Sequence, residues 1–253
     1  MKAMTSTDVE SHLASTRSTK APFWPLILGI FLPTLITWVY FDLLAAYDPL
    51  YQKLAAGLGK GIQFVLPVVG VLLCPRREQF DRPTYQHSAL VGLLFGIVVA
   101  GAMFAIFFSV LLPNAIMVGP REEALKKVSG FGLNSPAALI GLGVFYSLVH
   151  SAMEEYYWRW FIFRELHERM NLAPAAIISG LGFMSHHVLV LAKYFGWNSP
   201  LTWLFSLGIA IGGSIWALIY RRFGTILGPW LSHLLVDAAI FAIGYHLLFV
   251  YTP

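Results

Sequence analysis

Apolar residues run along this chain in long stretches, separated by short polar segments. A helix that crosses a bilayer needs about 20 mostly apolar residues. Six stretches come near that length: Phe23–Ala46, Ser88–Leu112, Pro136–Met153, Pro174–Ala192, Leu201–Tyr220 and Thr225–Tyr251. A seventh, Leu54–Cys74, is interrupted by Lys60 and several glycines. Gly228-Pro229 inside the last stretch leaves room for an eighth span. The expected fold is all-α, a polytopic transmembrane helix bundle of about seven to eight spans.

Composition supports a membrane protein. Hydrophobic residues make up 57% of the chain and charged residues 12%, whereas soluble domains carry about 25% charged residues. The net charge of +4 sits mostly between apolar runs, where basic residues orient helices and meet lipid headgroups. The expected partners are therefore the lipid bilayer and no nucleic acid. Cys74 is the only cysteine, which excludes an intrachain disulfide and a thiolate zinc cluster. Beside Pro75 in an apolar run, it reads as a buried or lipid-facing thiol.

Three regions follow. Residues 1–22 read as a polar, disordered cytoplasmic tail, residues 23–135 as N-terminal transmembrane helices and loops, and residues 136–253 as the segment that carries the chemistry. The positive-inside rule places Lys and Arg in cytoplasmic loops. Seven spans with a cytoplasmic N-terminus put 11 such residues inside and 6 outside, the latter including Lys53 and Lys60. Six spans would leave 7 inside and 10 outside. Seven spans are therefore expected, in the cell membrane, with Glu154 at the cytoplasmic end of its helix.

Charge inside a bilayer costs about 2.5–3.5 kcal/mol per residue on insertion scales, so it is rare and usually functional. The segment HSAMEEYYWR, His150–Arg159, concentrates it. Glu155 and Arg159 are four apart and share a helix face, with the carboxylate on the favourable side. Glu154 is rotated about 100° from Glu155, toward the face of His150 one turn earlier. Glu154 is then expected to face a wet cavity while Arg159 neutralises Glu155. Tyr156, Tyr157, Trp158 and Trp160 suit a helix end at the interface.

Two further elements follow on separate helices: Phe183-x3-His187 and His233-x3-Asp237. A carboxylate beside an imidazole can take a proton from water, and donors on another helix can stabilise the oxyanion formed at a carbonyl. The same residue types suit zinc, and spacing leaves both open. The pair Glu122-Glu123 in REEALKK, with Lys126 and Lys127 each four residues on, has the pattern of a solvated surface helix. His246 reads as interfacial.

Taken in order, Glu154-Glu155-x3-Arg159, Phe183-x3-His187 and His233-x3-Asp237 resemble the three motifs of the CAAX-protease and bacteriocin-processing (CPBP, or Abi) family. That family includes the type II CAAX prenyl endopeptidase, also called the Ras-converting enzyme. The resemblance covers roughly Pro136–Tyr251, less than half of the chain.

The resemblance implies a CAAX-type intramembrane protease of the glutamic type, acting on a peptide or protein substrate that carries a lipid in some family members. It makes Glu154 the group that activates water, assisted by His187, and puts His233 and Asp237 on the oxyanion side. Glu155, Arg159 and Phe183 become supporting residues. No resident metal or other cofactor is implied, with zinc as the alternative. Eukaryotic prenyl-protein members carry Asn at the position of Asp237, and an ionised Asp cannot donate a hydrogen bond as an amide does. His150 and His186 lie outside the motifs, as candidates for the site or for structural hydrogen bonds. Two other readings remain: a non-catalytic immunity or scaffold protein, and a proton-coupled transporter. The inverted repeat that would favour the transporter is not visible.

Overall fold

The computed structural model describes residues 23–73 and 83–251. The expected tail over 1–22 and the reading of Cys74 lie outside the described residues. Every regular element among them is a helix. In chain order these are α1 (Trp24–Leu43), α2 (Pro49–Leu73), α3 (Tyr85–Leu111), α4 (Val118–Gly130), α5 (Pro136–His167), α6 (Leu172–Phe195), α7 (Pro200–Phe223) and α8 (Leu227–Val250). Six are long and apolar enough to span a bilayer. The seventh expected span, α2, is a continuous 25-residue helix outside that set. The outer surface is apolar, with Phe31, Leu72, Val98 and Leu204 among its exposed side chains. The protein is an integral membrane helix bundle.

Helix starts follow from local chemistry. The Ser135 hydroxyl accepts from the amide of Ala138 ahead of Pro136 and opens α5. Ser199 accepts from the Leu201 amide before Pro200 and opens α7. Proline is at home in a first helical turn because its missing N–H has no intrahelical partner to lose. Gly224, at φ +67°, closes α7 in the left-handed region that glycine enters without penalty.

Small residues let helices meet backbone to backbone, a common device where apolar burial alone does not drive association. α3 and α8 touch where the Gly228 amide donates to Ser88 Oγ at 3.0 Å, and a Cβ on Gly92 would meet the Gly228 carbonyl. α6 and α7 pack along each other, and a Cβ on Gly180 would meet Ser214 and the Ala210 carbonyl.

The main departure from expectation is α5. The apolar run was expected to end at Met153, leaving Glu154 at a helix end. The helix instead continues to His167, and Glu154 is well inside it. Two π-helical stretches, Tyr146–His150 and Tyr156–Phe163, flank the α-helical turn Ser151–Glu155. Such widened turns recur at functional sites. Tyr157 and Trp158 are fully buried inside the bundle, and the Tyr157 hydroxyl donates to the Gly29 carbonyl at 2.6 Å. With Phe161, Ile162, Phe163 and Leu166 they form the main core. The helix that was expected to surface is therefore the buried centre of the bundle.

The short helix α4 holds Glu122 and Glu123. Glu123 pairs with Lys126 at 2.7 Å, three residues on, and that ammonium holds the Glu123 carboxyl below its usual range. Lys127 does not pair four residues back. Its ammonium lies over the rings of Phe41 at 4.3 Å and Phe131 at 5.1 Å. His246 is half-buried against Phe107 and Phe108.

Candidate active site

α5, α6 and α8 bring their polar residues to one place inside the bundle. At its centre is Glu154, whose side chain is 3% exposed. Four nitrogens surround its carboxylate. Lys60 Nζ lies 3.7 Å, His150 Nε2 3.7 Å and His186 Nε2 3.6 Å from Oε1, while His233 Nε2 lies 3.8 Å from Oε2. All four separations exceed hydrogen-bond length. They suit groups that act on something held between them.

Glu155 faces the other way and is fully buried. Its Oε1 meets Arg159 Nη1 at 3.0 Å and accepts from His233 Nδ1 at 2.8 Å. Arg159 also donates to the Gly213 carbonyl at 3.1 Å, and its guanidinium lies 4.8 Å from the Phe183 ring and 5.0 Å from the Trp216 ring. Guanidinium stacks on aromatic faces where an ammonium would be too strongly hydrated. A carboxylate can only accept, so His233 carries a proton on Nδ1, and its Nε2 is directed at Glu154 and Asp237. Asp237 Oδ1 lies 3.7 Å from that Nε2. Trp216 stacks on the His233 ring at 4.5 Å and donates to Ser232 Oγ at 2.9 Å, which fixes the ring from its face.

On α6, His187 Nδ1 donates to the Phe183 carbonyl at 2.8 Å, which leaves Nε2 as the acceptor. His186 stacks on Trp158 and makes no ring-nitrogen hydrogen bond among the described residues. Phe183 is the common wall, with its ring centroid 4.6 Å from that of His187 and 5.6 Å from those of His186 and His233.

Glu154, Glu155, Arg159, Phe183, His187, His233 and Asp237 therefore lie in one cluster, and His150 and His186 join it. The expected wet cavity is not open at Glu154 itself. Exposure rises at the rim, to 15% for Asp237, 16% for His150 and 26% for Lys60. Lys60 was counted as an outside residue, and the fold carries it to Glu154 instead. Gln63, one turn beyond Lys60, is fully buried with neither amide atom partnered among the described residues. A charge and an amide three apart in an apolar run were the signal for this polar face.

Glu154, His186 and His187 also offer ligand atoms within 4.8 Å of one another. Two imidazoles and a carboxylate form a donor set that zinc accepts. The His187 Nδ1 bond to a backbone carbonyl is the kind of contact that orients a ligating imidazole. These residues fit a zinc ion chemically.

Bundle and buried polar cluster together define a membrane protein with the apparatus for acid–base chemistry. Residues 136–239 match the family model for Rce1-like proteins, described as type II CAAX prenyl endopeptidase Rce1-like. The segment that builds this site is thus similar to the Rce1-like proteins, in keeping with the resemblance of its three motifs to the CAAX-protease and bacteriocin-processing family. No curated protein and no solved structure matches the chain.

Proposed function

We propose that the protein is an intramembrane endopeptidase that hydrolyses a peptide bond with water activated by Glu154. The arrangement of Glu154 among the His150, His186 and His233 nitrogens, with Glu155 holding His233 from behind, carries this reading. Water attacks the scissile carbonyl carbon as its proton passes to Glu154, assisted by His187 through its free Nε2. Charge collects on the carbonyl oxygen, on the side of His233 and Asp237, where His233 Nε2 donates in the imidazolium form, with both ring nitrogens protonated. The tetrahedral intermediate collapses with cleavage of the C–N bond, and the proton on Glu154 passes to the departing amine. General-base and oxyanion contributions of this kind are worth about 10²–10⁴ each in rate. Glu155, Arg159 and Phe183 orient His233 and exclude water from its far side.

Similarity to the Rce1-like proteins over residues 136–239 supports a C-terminal tail of a lipid-modified protein as substrate. The proposed setting is the cell membrane, with the N-terminus in the cytoplasm and cleavage near that face. The complete carboxylate–imidazole set favours this over a scaffold or immunity role. A transporter reading gains no support from an inverted repeat in the sequence.

A second reading rests on the Glu154, His186 and His187 ligand atoms. There, a bound zinc ion would supply Lewis-acid activation of water, with His233 and Asp237 keeping their places. One experiment separates the readings. Purified wild type and Glu154→Gln are given prenylated and unmodified C-terminal peptides, with and without a strong chelator. Chelator-insensitive cleavage that the substitution abolishes is the expected result. Loss to chelator would transfer the residues to zinc, and equal cleavage by both proteins would remove Glu154 from the mechanism.

A further inference from the structure

Of the long helices, α2 stands apart from the six apolar spans and lies outside the matched segment. Its outer face is apolar, with Leu58, Ile62, Val65 and Leu72 exposed. Its buried face is not: Gly59, Gln63, Pro67 and Gly70 turn inward. A Cβ on Gly59 would come within 2.6 Å of Ile36 on α1, and one on Gly70 within 2.5 Å of Phe161 on α5. The helix can approach its neighbours this closely because both positions lack a side chain. Lys60 and Gln63, between those two contacts, come into the bundle with it.

Both side chains keep their bonding capacity unspent. Lys60 Nζ lies 3.7 Å from Glu154 Oε1, beyond hydrogen-bond length, and 5.7 Å from the centre of the Phe64 ring. It makes no hydrogen bond among the described residues, so the three N–H donors of the ammonium are open. Gln63 is fully buried, and neither its Nε2 nor its Oε1 has a partner among the described residues. A buried amide left unpaired is costly and rare enough in native proteins to need an explanation. Residues three apart lie side by side on a helix. The other cation nearby, Arg159, is taken up by Glu155 and the Gly213 carbonyl. An ammonium, an amide donor and an amide acceptor together complement a carboxylate with an N–H beside it. A peptide presents that combination at its C-terminus.

We propose that Lys60 and Gln63 form the subsite for the C-terminal carboxylate of the substrate. Lys60 supplies the charge and Gln63 Nε2 a second donor, while Gln63 Oε1 accepts from the N–H of the last residue. Because Lys60 is next to Glu154, cleavage falls within a few residues of the chain end. The inference rests on the peptidase reading, and its test separates the two. An Asp side chain carries the same carboxylate, so the probes distinguish the two sources.

Labelled prenylated peptides ending in a free acid, in an amide, or in an amide with Asp as last residue are given to wild type, Lys60→Met, Lys60→Arg and Gln63→Leu in detergent. Binding is read by stopped-flow fluorescence anisotropy before turnover, and cleavage by mass spectrometry. Wild type should bind and cut the free acid about 10–100-fold better than the plain amide, the worth of one charge-assisted contact. Lys60→Met should lose that preference by weakening the free acid alone, and Lys60→Arg should keep most of it. Gln63→Leu should lower it several-fold while the unfolding midpoint holds or rises, since an unpaired buried amide is removed. An Asp-ended amide bound as well as the free acid would overturn the restriction to the chain end and keep the carboxylate subsite. A free-acid preference without any cleavage would keep the subsite and overturn the peptidase reading. Equal binding of acid and amide by wild type would overturn the proposal, as would equal losses for both in Lys60→Met. Wild type that binds no peptide would overturn both readings.

Discussion

The Glu155 carboxylate accepts a hydrogen bond from His233 Nδ1 at 2.8 Å while it pairs with Arg159 at 3.0 Å through the same oxygen. One atom thus joins α5 to α8 and sets the tautomer and direction of an imidazole aimed at the neighbouring glutamate. Adjacent residues on one helix have divided the work, with Glu154 facing the reacting side and Glu155 the supporting side.

Removing the guanidinium leaves Glu155 charged and buried. Breaking one half of a buried pair costs about 3–5 kcal/mol, so Arg159→Met should lower the unfolding midpoint in detergent sharply. Glu155→Leu combined with Arg159→Met should regain much of that midpoint, because apolar residues can replace a buried pair without loss. The double variant should still cut no peptide, since His233 has lost its Nδ1 acceptor. Recovery of both properties would dissociate Glu155 from His233.

Asp237 lies 3.7 Å from His233 Nε2, on the proposed oxyanion side. An amide there can donate to the oxyanion. Asp237 can donate there only as the neutral acid; on that reading Asp237→Asn should retain most of the activity, and Asp237→Ala should lose about 10²–10³ in kcat, the usual cost of one oxyanion donor. Equal losses in both would mean that the carboxylate itself is required.

α8 holds His233 and Asp237 in place through its glycine contact with α3. Gly92→Ala puts a methyl group against the Gly228 carbonyl, with backbone on both sides unable to yield. Overpacking of this kind costs about 1–3 kcal/mol. Peptide cleavage should fall along with the unfolding midpoint, although Gly92 touches none of the reacting groups. Unchanged cleavage would show that α8 keeps its place without that contact.

The Glu123–Lys126 pair on α4 serves as a control. Lys126 holds the partly exposed Glu123 carboxyl below its usual value. A lowered folded-state value stabilises the protein above the unfolded pKa, and that gain is lost as pH falls through the folded one. Glu123→Gln should therefore give a slight, salt-screened loss of stability at neutral pH that vanishes in acid. Peptide cleavage should not change. A clear loss of cleavage would bring α4 into the mechanism.

Much was legible in the sequence because it depends on a short stretch of chain. Long apolar runs specify spanning helices, since a bilayer leaves backbone N–H and C=O groups no other partners. Four-residue spacing put Glu155 with Arg159, His150 with Glu154 and His233 with Asp237 on shared faces, because a helical turn has nearly that period. The extent of α5 was not legible. Charge in an apolar run looks like its end until other helices supply the partners that let it continue, and the π-helical turns that rotate its faces leave no pattern in the residues. Nor could spacing reveal that His186 reaches Glu154, that Glu155 holds His233, or that Lys60 belongs with residues almost a hundred positions away. Those contacts cross between helices. They depend on where glycines let backbones meet, and only the packed bundle decides that.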